Sequence, residues 1–458
     1  MLPNITQTVH GCYMDREDSI KGTVLLVAYH YPPVRTTGTQ RVTKFERYLP
    51  EFGYRTSVLT TSAFGKEGTQ DEALRAWEPL GTYRWLFNSR TRRDRGAAAR
   101  LRTTSNLTSG WSRVLRRTLI PDAQITWIPA ASARALSQLR TGAANLIYST
   151  YPPASAHLVA LIAKQLSGAP WVADFRDSWT TDPLDPDLLF HHPYRLQLER
   201  KLESAVVRTA DAIITSTTVA AECLKQAHPD CAERIHVITN GFDPEDVVDD
   251  TDPPASGGAR PLHLVHTGSF SASHPWRSPR GLLEGVRLLI EADPVWSLRL
   301  KVTLVGHLTS AEASDAAKLT SSGIVQTVEE ADRAESLRFQ QQGDVLLLVD
   351  HPRPWPASNL PNKLFEYLAL KRPILALCTA GMVADTIAEL KAGVCVAPDD
   401  PGAIAQAVER LYHAFASGTL QHHACTAPLN RFHRRFLTQQ LAQRFDEVLA
   451  RHQRAPGR

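Results

Sequence analysis

Lys363 and Glu366 stand three residues apart in NLPNKLFEYLALKRPIL (359–375), a run otherwise made largely of Leu, Phe, Tyr and Ala. Pro361 suits the first turn of a helix, where a missing N–H costs nothing, and the free amides of such a turn point at any anion brought to them. Lys363 adds a full positive charge at that end. Glu366, one turn further along the same stripe, can accept two hydroxyl hydrogens. A grip on a phosphate and a diol is one chemistry open to this pair; an ordinary surface ion pair, worth about 0.2 to 0.5 kcal/mol, is the other. Leu364, Phe365 and Leu368 would pack the opposite side of the helix.

A second polar cluster lies in VADFRDSWTTD (172–182), where a strand-like run ends in Asp174, Arg176 and Asp177. Strand ends in open α/β sheets are where ligands bind, although an internal Asp–Arg pair holding a loop explains the same residues. His157 follows STYPPASAH into a helix-period stretch and is open to either a cleft or a structural role. The six cysteines form no C-x-x-C pair and no Cys/His ligand spacing, so neither zinc nor a disulfide framework is favoured.

These groups need elements to position them. Strand-like runs at 23–29, 55–61, 146–151, 171–175, 212–217 and 236–240 alternate with helix-period stretches, and runs such as VLLV lack the period-two pattern of half-exposed strands. FDPEDVVDDTDPPASGGARP (242–261) interrupts the pattern as a linker. The alternation then resumes at 263–268, 298–306, 324–328, 344–350, 373–378 and 393–398. The expectation is an α/β protein of two Rossmann-like domains facing across a cleft. Residues 1–20 form a tail, 21–243 the first domain, 244–261 the linker, 262–428 the second domain, and 429–458 a final helix packing back on the first. Asp400 and Pro401 mark a helix start. At 458 residues, 43% hydrophobic and 21% charged, with a net charge of +4, the chain suits a globular protein with no demand for nucleic acid. The turn after the first strand, HYPPVRTTGTQRVTKF, carries only Gly38, so the dinucleotide fingerprint is missing, and so is a P-loop.

Together, VLLVAYHYPPVRTTGTQRVTKFERYLPEFGYRTSVLTT, STYPPASAHLVALIAKQLSGAPWVADFRDSW, VITNGFD and NLPNKLFEYLALKRPILAL resemble the large retaining family of bacterial GT-B glycosyltransferases, family 4-like, over roughly residues 21 to 450. The resemblance implies transfer of a sugar from a nucleoside diphosphate donor to a hydroxyl of a lipid-linked or polysaccharide acceptor, with no metal or other cofactor. It implies that Pro361, Asn362, Lys363, Leu364 and Glu366 form the donor cradle, Glu366 on the ribose and Lys363 on the leaving diphosphate. Gly268, in HTGSFSASHPWRSPRGLLEG, would let backbone approach a phosphate, with Arg277, or failing that Arg280, as the basic residue beside it. Gly38, with Thr36 and Thr37 where glycines are common, would bring amides near donor or acceptor. Asp174, Arg176 and Asp177 would bind or orient sugar and acceptor, with Thr37 and His157 beside them.

One departure stands out: Ser358 occupies the position where the family often has a second Glu. Asp185 and Asp187 in DPLDPDL have the spacing of metal-dependent glycosyltransferases of another fold, though Pro-rich turns collect aspartates for local reasons. A nucleotide-sugar epimerase or a non-catalytic nucleotide-sugar binder is the alternative function. Residues 90–118 are arginine-rich with Asp94 as their single acid and Trp111 and Leu115 among them, which suits an anionic membrane surface, a solvated loop or a grip on an anionic acceptor. The first 20 residues lack the apolar core of a signal peptide, Met14 is a second possible start, and a cytoplasmic enzyme peripheral to the inner membrane face is expected.

Overall fold

The computed structural model describes residues 20–34, 37–65, 72–81, 118–247, 260–329, 331–355 and 357–454. Residues 1–19, Thr36, the side chain of Thr37, the basic run up to residue 117 and linker residues 248–259 lie outside them.

Two parallel sheets organise the chain. The first contains β1 (Gly22–Val27), β2 (Tyr54–Thr61), β3 (Leu74–Ala76), β4 (Leu146–Tyr151), β5 (Trp171–Phe175), β6 (Ala212–Thr215) and β7 (Ile235–Val237), in the order β3-β2-β1-β4-β5-β6-β7. The second contains β8 (Leu262–Thr267), β9 (Leu300–Val305), β10 (Val325–Val328), β11 (Val345–Val349), β12 (Ile374–Leu377) and β13 (Gly393–Val396), in the order β10-β9-β8-β11-β12-β13. This is the two-domain Rossmann-like fold expected from the alternation. The reason is visible within single strands. Leu25 and Val27 join the core on one face of the first sheet, while Val24 and Leu26 join the core on the other. Leu264 and Val265 divide in the same way between the two faces of the second sheet. With helices covering both faces, alternation of polarity has nothing to record, and central strands such as β11 (VLLLV) and β12 (ILAL) are apolar throughout.

Two local differences from the sequence reading have physical causes. β3, only three residues long, is too short to announce itself by periodicity. β7 stops at Val237 rather than running to Asn240, and the carbonyls of Ile238 and Thr239 that would continue a ladder accept hydrogen bonds of 2.9 Å from the Arg41 guanidinium instead. The helix Pro401–Ala416 starts as read, with the Asp400 side chain accepting from the amide of Ala403.

The chain crosses between domains twice. Phe242 leaves the first domain and joins the core of the second beside Phe432. The helix Arg434–Arg454 returns, placing Phe445 against Tyr54 at 5.3 Å between ring centres and Asp446 within 2.6 Å of the Tyr54 hydroxyl. Among the described residues, no helix is long and apolar enough to cross a membrane.

Candidate functional site

The second sheet reverses its winding between β8 and β11, so the loops leaving their carboxyl ends diverge and open a crevice. β8 runs into Gly268, whose φ of +112° is a conformation that favours glycine. The Lys363 side chain lies across this glycine, and a Cβ at 268 would collide with its Nζ and Cε. Lys363 comes from the first turn of the helix Asn362–Ala369, with Pro361 one residue earlier than expected, at the cap position. The Lys363 ammonium is lowered to about 7, by desolvation first and then by the nearby Arg277, with Glu366 opposing them. Lys363 thus meets Gly268, and Arg277 is near enough to disfavour positive charge on both Lys363 and His266. Arg277 donates to Ser273 at 2.9 Å and approaches Asp350, at the end of β11, at 3.4 Å. Arg280 faces away, with Asp315 at 3.8 Å and most of its side chain in solvent.

Glu366 does not pair with Lys363. Its carboxylate accepts from Arg333 at 2.8 Å and from Gln340 at 3.4 Å, and Gln340 also donates to the Thr267 hydroxyl at 2.9 Å. The surface ion pair is therefore absent, and Glu366 is held at the crevice edge by residues of the neighbouring helix Arg333–Gln342. Leu364 requires correction as a donor contact by its side chain: it is fully enclosed in the apolar core with Phe365 and Leu368. Asn362 is nearly buried at the head of the same helix.

His266 and Gln340 escaped the sequence reading. His266 is buried, stacked on Phe270 at 4.5 Å, with Leu347 O at 2.9 Å from Nδ1 and Gly268 O at 3.1 Å from Nε2. A neutral ring carries one N–H and donates to only one of these two carbonyls, so His266 packs between the Gly268 turn and β11 without bridging them by two hydrogen bonds. Burial first, then Lys363 and Arg277, keep it neutral. The one available signal was its place two residues before Gly268.

In the first domain the charged strand end divides. Asp174 has no solvent exposure, and both its carboxylate oxygens are taken by Arg41, at 2.7 and 3.0 Å, with the Tyr148 hydroxyl donating as well. A direct role for Asp174 in sugar or acceptor binding is thereby corrected, because no surface of the group reaches a ligand. The internal Asp–Arg pair exists, and its arginine is Arg41. His157 is likewise enclosed, its Nδ1 2.7 Å from the Ser149 hydroxyl and its ring 4.6 Å from that of Phe175, with burial pulling its pKa down to about 3 against the opposing Asp174. It too is withdrawn from acceptor contact.

Arg176, Asp177 and Gly38 stay together. The Arg176 guanidinium lies on Gly38 so closely that a Cβ there would strike Nη1, and its Nε donates to the partly exposed Asp177 at 3.2 Å. The start of the helix Thr37–Tyr48 is thus tied to the loop after β5. His30, after β1, has an enclosed Nδ1 without a partner and is lowered to about 4 by burial and by Arg176.

The carboxyl ends of the two sheets face each other. Ser178, after β5, lies 3.1 Å from Ser358, and Thr217, after β6, donates to the Ser358 carbonyl. Ser358 is buried, its hydroxyl shared between Ser178 and Asp182. Asp185 caps the helix Pro186–Phe190 by accepting from Leu188, and Asp187 accepts from Trp276 at 3.3 Å. Among the described residues, no group of three or more His, Cys, Asp or Glu side chains is disposed to hold a metal ion.

The model of the family described as Glycosyltransferase Family 4 matches residues 38–246, and that described as Glycosyl transferases group 1 matches residues 262–414. No curated protein matches the sequence. Among solved structures, a sucrose-phosphate synthase from Thermosynechococcus elongatus superposes with a TM-score of 0.62 at 14% identity, over 94% of this chain and 99% of its own. A glycosyltransferase from Rickettsia africae gives 0.59 at 12% identity, over 93% and 98%. Anabaena HepE in complex with UDP-glucose gives 0.57 at 16% identity, over 93% and 100%. At these identities the likeness is one of fold.

Proposed function

We propose that this chain, a family 4-like glycosyltransferase of GT-B fold, takes a sugar from a nucleoside diphosphate donor and passes it to a hydroxyl of a glycan or lipid-linked acceptor with retention of configuration. The observation that carries the reading is the Lys363 side chain lying across Gly268, with Arg277 near enough to act on its charge and Glu366 one turn away. Two cations at a bare backbone turn suit a diphosphate, and a carboxylate beside them suits the diol of a ribose. HepE, of the same fold, is a protein crystallised with UDP-glucose, which supports a nucleotide-sugar as donor.

In the proposed reaction the bond from the anomeric carbon to the diphosphate oxygen breaks and a bond to the acceptor oxygen forms on the same face. The acceptor proton passes to the departing phosphate. Lys363 and Arg277 stabilise the negative charge that grows on that group, where such stabilisation accelerates the step. The reading needs no protein base, in keeping with the enclosure of Asp174 and His157. Arg176 and Asp177 orient sugar or acceptor, the first domain binds acceptor, and closure excludes water. Residues 90–118 add contact with anionic lipid at the cytoplasmic membrane face, and vesicle co-sedimentation independent of salt and lipid charge would remove that part. Activity is expected to survive chelation of divalent cations.

The experiment is a thermal-shift screen of nucleotide-sugars, followed by transfer of labelled sugar and assignment of the product anomer by NMR. Label that moves only with an acceptor present supports transfer. Conversion or hydrolysis of donor without an acceptor favours the epimerase or binding alternative, and an inverted product removes retention.

A further inference from the structure

Asp182 belongs to the first domain, in the loop after β5, yet each hydrogen bond recorded for its side chain comes from the second. Oδ1 accepts from Trp355 Nε1 at 2.9 Å. Oδ2 accepts from Arg353 Nη1 at 3.1 Å, from the Ser358 amide at 3.1 Å and from the Ser358 hydroxyl at 2.8 Å. The carboxylate is only 7% exposed and Arg353 only 2%, so the pair is shielded from solvent. Removing a carboxylate so committed takes from Arg353 one of its two buried counter-charges.

Arg353 does not end there. Its Nη2 donates to both oxygens of Asp350 at 2.9 Å, and Asp350 is also the carboxylate that Arg277 approaches, at 3.4 Å. Burial alone would raise the Asp350 carboxyl, but His351, Arg353 and Arg277 together hold it well below the ordinary range, so it is an anion. A continuous alternation of charge therefore runs from Asp182 through Arg353 and Asp350 to Arg277, beside Lys363. Arg353 divides itself between two carboxylates. If Asp182 is withdrawn, Arg353 turns wholly to Asp350 and competes with Arg277 for it.

We infer that Asp182 is a positioning residue for the donor site: through Arg353 and Asp350 it sets Arg277, so that the phosphate-binding arginine is correctly placed only while the two domains are engaged. The inference rests on the reading of Arg277 as a diphosphate contact. It gives Ser358 a function as well, since the serine presents two donors to Asp182.

A double-mutant cycle on the full-length chain tests this. The probe is whichever of UDP, GDP and ADP the wild-type chain binds, titrated by calorimetry against wild type, Asp182→Asn, Arg277→Ala and the double variant. Asp182→Asn and Arg277→Ala are each expected to weaken binding about tenfold, the scale of one charged hydrogen bond. The double variant is expected to bind no more weakly than Arg277→Ala alone, because residues acting in series do not add. Arg353→Gln, which breaks the same chain one link later, replaces Asp182→Asn if the latter does not fold, with the same expectation. Wild-type affinity in the Asp182 or Arg353 variant, or losses that multiply to about a hundredfold in the double variant, overturns the inference and leaves Asp182 a simple interdomain tie. Failure of Arg277→Ala to weaken binding, or of the wild-type chain to bind any of the three probes, overturns the donor-site reading itself and the inference with it.

Discussion

At the scale of single residues, Lys363 and Glu366 are proposed to divide the work of the donor cradle. Glu366→Gln removes the carboxylate proposed to accept from two ribose hydroxyls and leaves Arg333 with a neutral partner, so the donor dissociation constant is expected to rise by roughly one to two decades. Lys363→Ala is expected to lower turnover at saturating donor by about a hundredfold, because charge on the diphosphate grows as the anomeric bond breaks. Steady-state kinetics on both variants, with folding checked by circular dichroism, would sink the assignment by showing wild-type constants. A pH dependence follows from the ammonium of about 7 in the ligand-free protein. A diphosphate prefers the charged form, so donor binding takes up a proton near neutrality, and affinity falls by up to about tenfold per unit as pH rises through 7 toward the higher pKa of the complex. Arg277 and His266 face the same ammonium, with Glu366 opposing, and all three remain in Lys363→Arg, which keeps its charge and should flatten the profile. Calorimetry, in buffers of different ionisation enthalpy, of whichever nucleoside diphosphate the wild-type chain binds measures the uptake; binding with no uptake between pH 6 and 8 would refute it.

At the scale of elements, the Arg41–Asp174 pair joins the helix Thr37–Tyr48, β5 and the end of β7. Asp174 stands where a ligand contact would be expected, at the end of a parallel strand, but Arg41 fills that position from a helix 133 residues earlier. Asp174→Ala would leave a buried guanidinium with no counter-charge, at a cost of about 3 to 5 kcal/mol. The expected phenotype is a lower urea midpoint, with donor affinity retained in the fraction that remains folded. A variant as stable as wild type but with impaired transfer would return Asp174 to the active site. The Gly38 turn follows the same logic. Its glycine was legible as a close-approach position, but what approaches in this structure is the Arg176 guanidinium. Sequence shows that a site tolerates no side chain more readily than it shows what takes its place.

At the scale of the whole molecule, the returning helix Arg434–Arg454 makes the first domain depend on the last residues of the chain. Phe445 is fully buried between Tyr54 and Tyr148, and Phe445→Ala is expected to cost about 3 to 5 kcal/mol in denaturant unfolding, with a loss below about 1 kcal/mol counting against this dependence. The alternation of apolar runs with helix-period stretches was enough to establish two Rossmann-like domains, because strands covered on both faces carry their burial in their own composition. The helix bearing Lys363 and Glu366, and the glycine at 268, were also legible, since capping and backbone approach are local properties. Which charges meet was decided only by the tertiary structure. Lys363 meets Gly268 rather than Glu366, Asp174 meets Arg41 rather than a ligand, and Asp182 meets Arg353 and Ser358 across the two domains. The physical reason is one of range: periodicity and capping act over a few residues and leave their mark in the local sequence, whereas a buried charge takes whichever partner the strand order brings within about 3 Å, and that partner can lie anywhere along the chain.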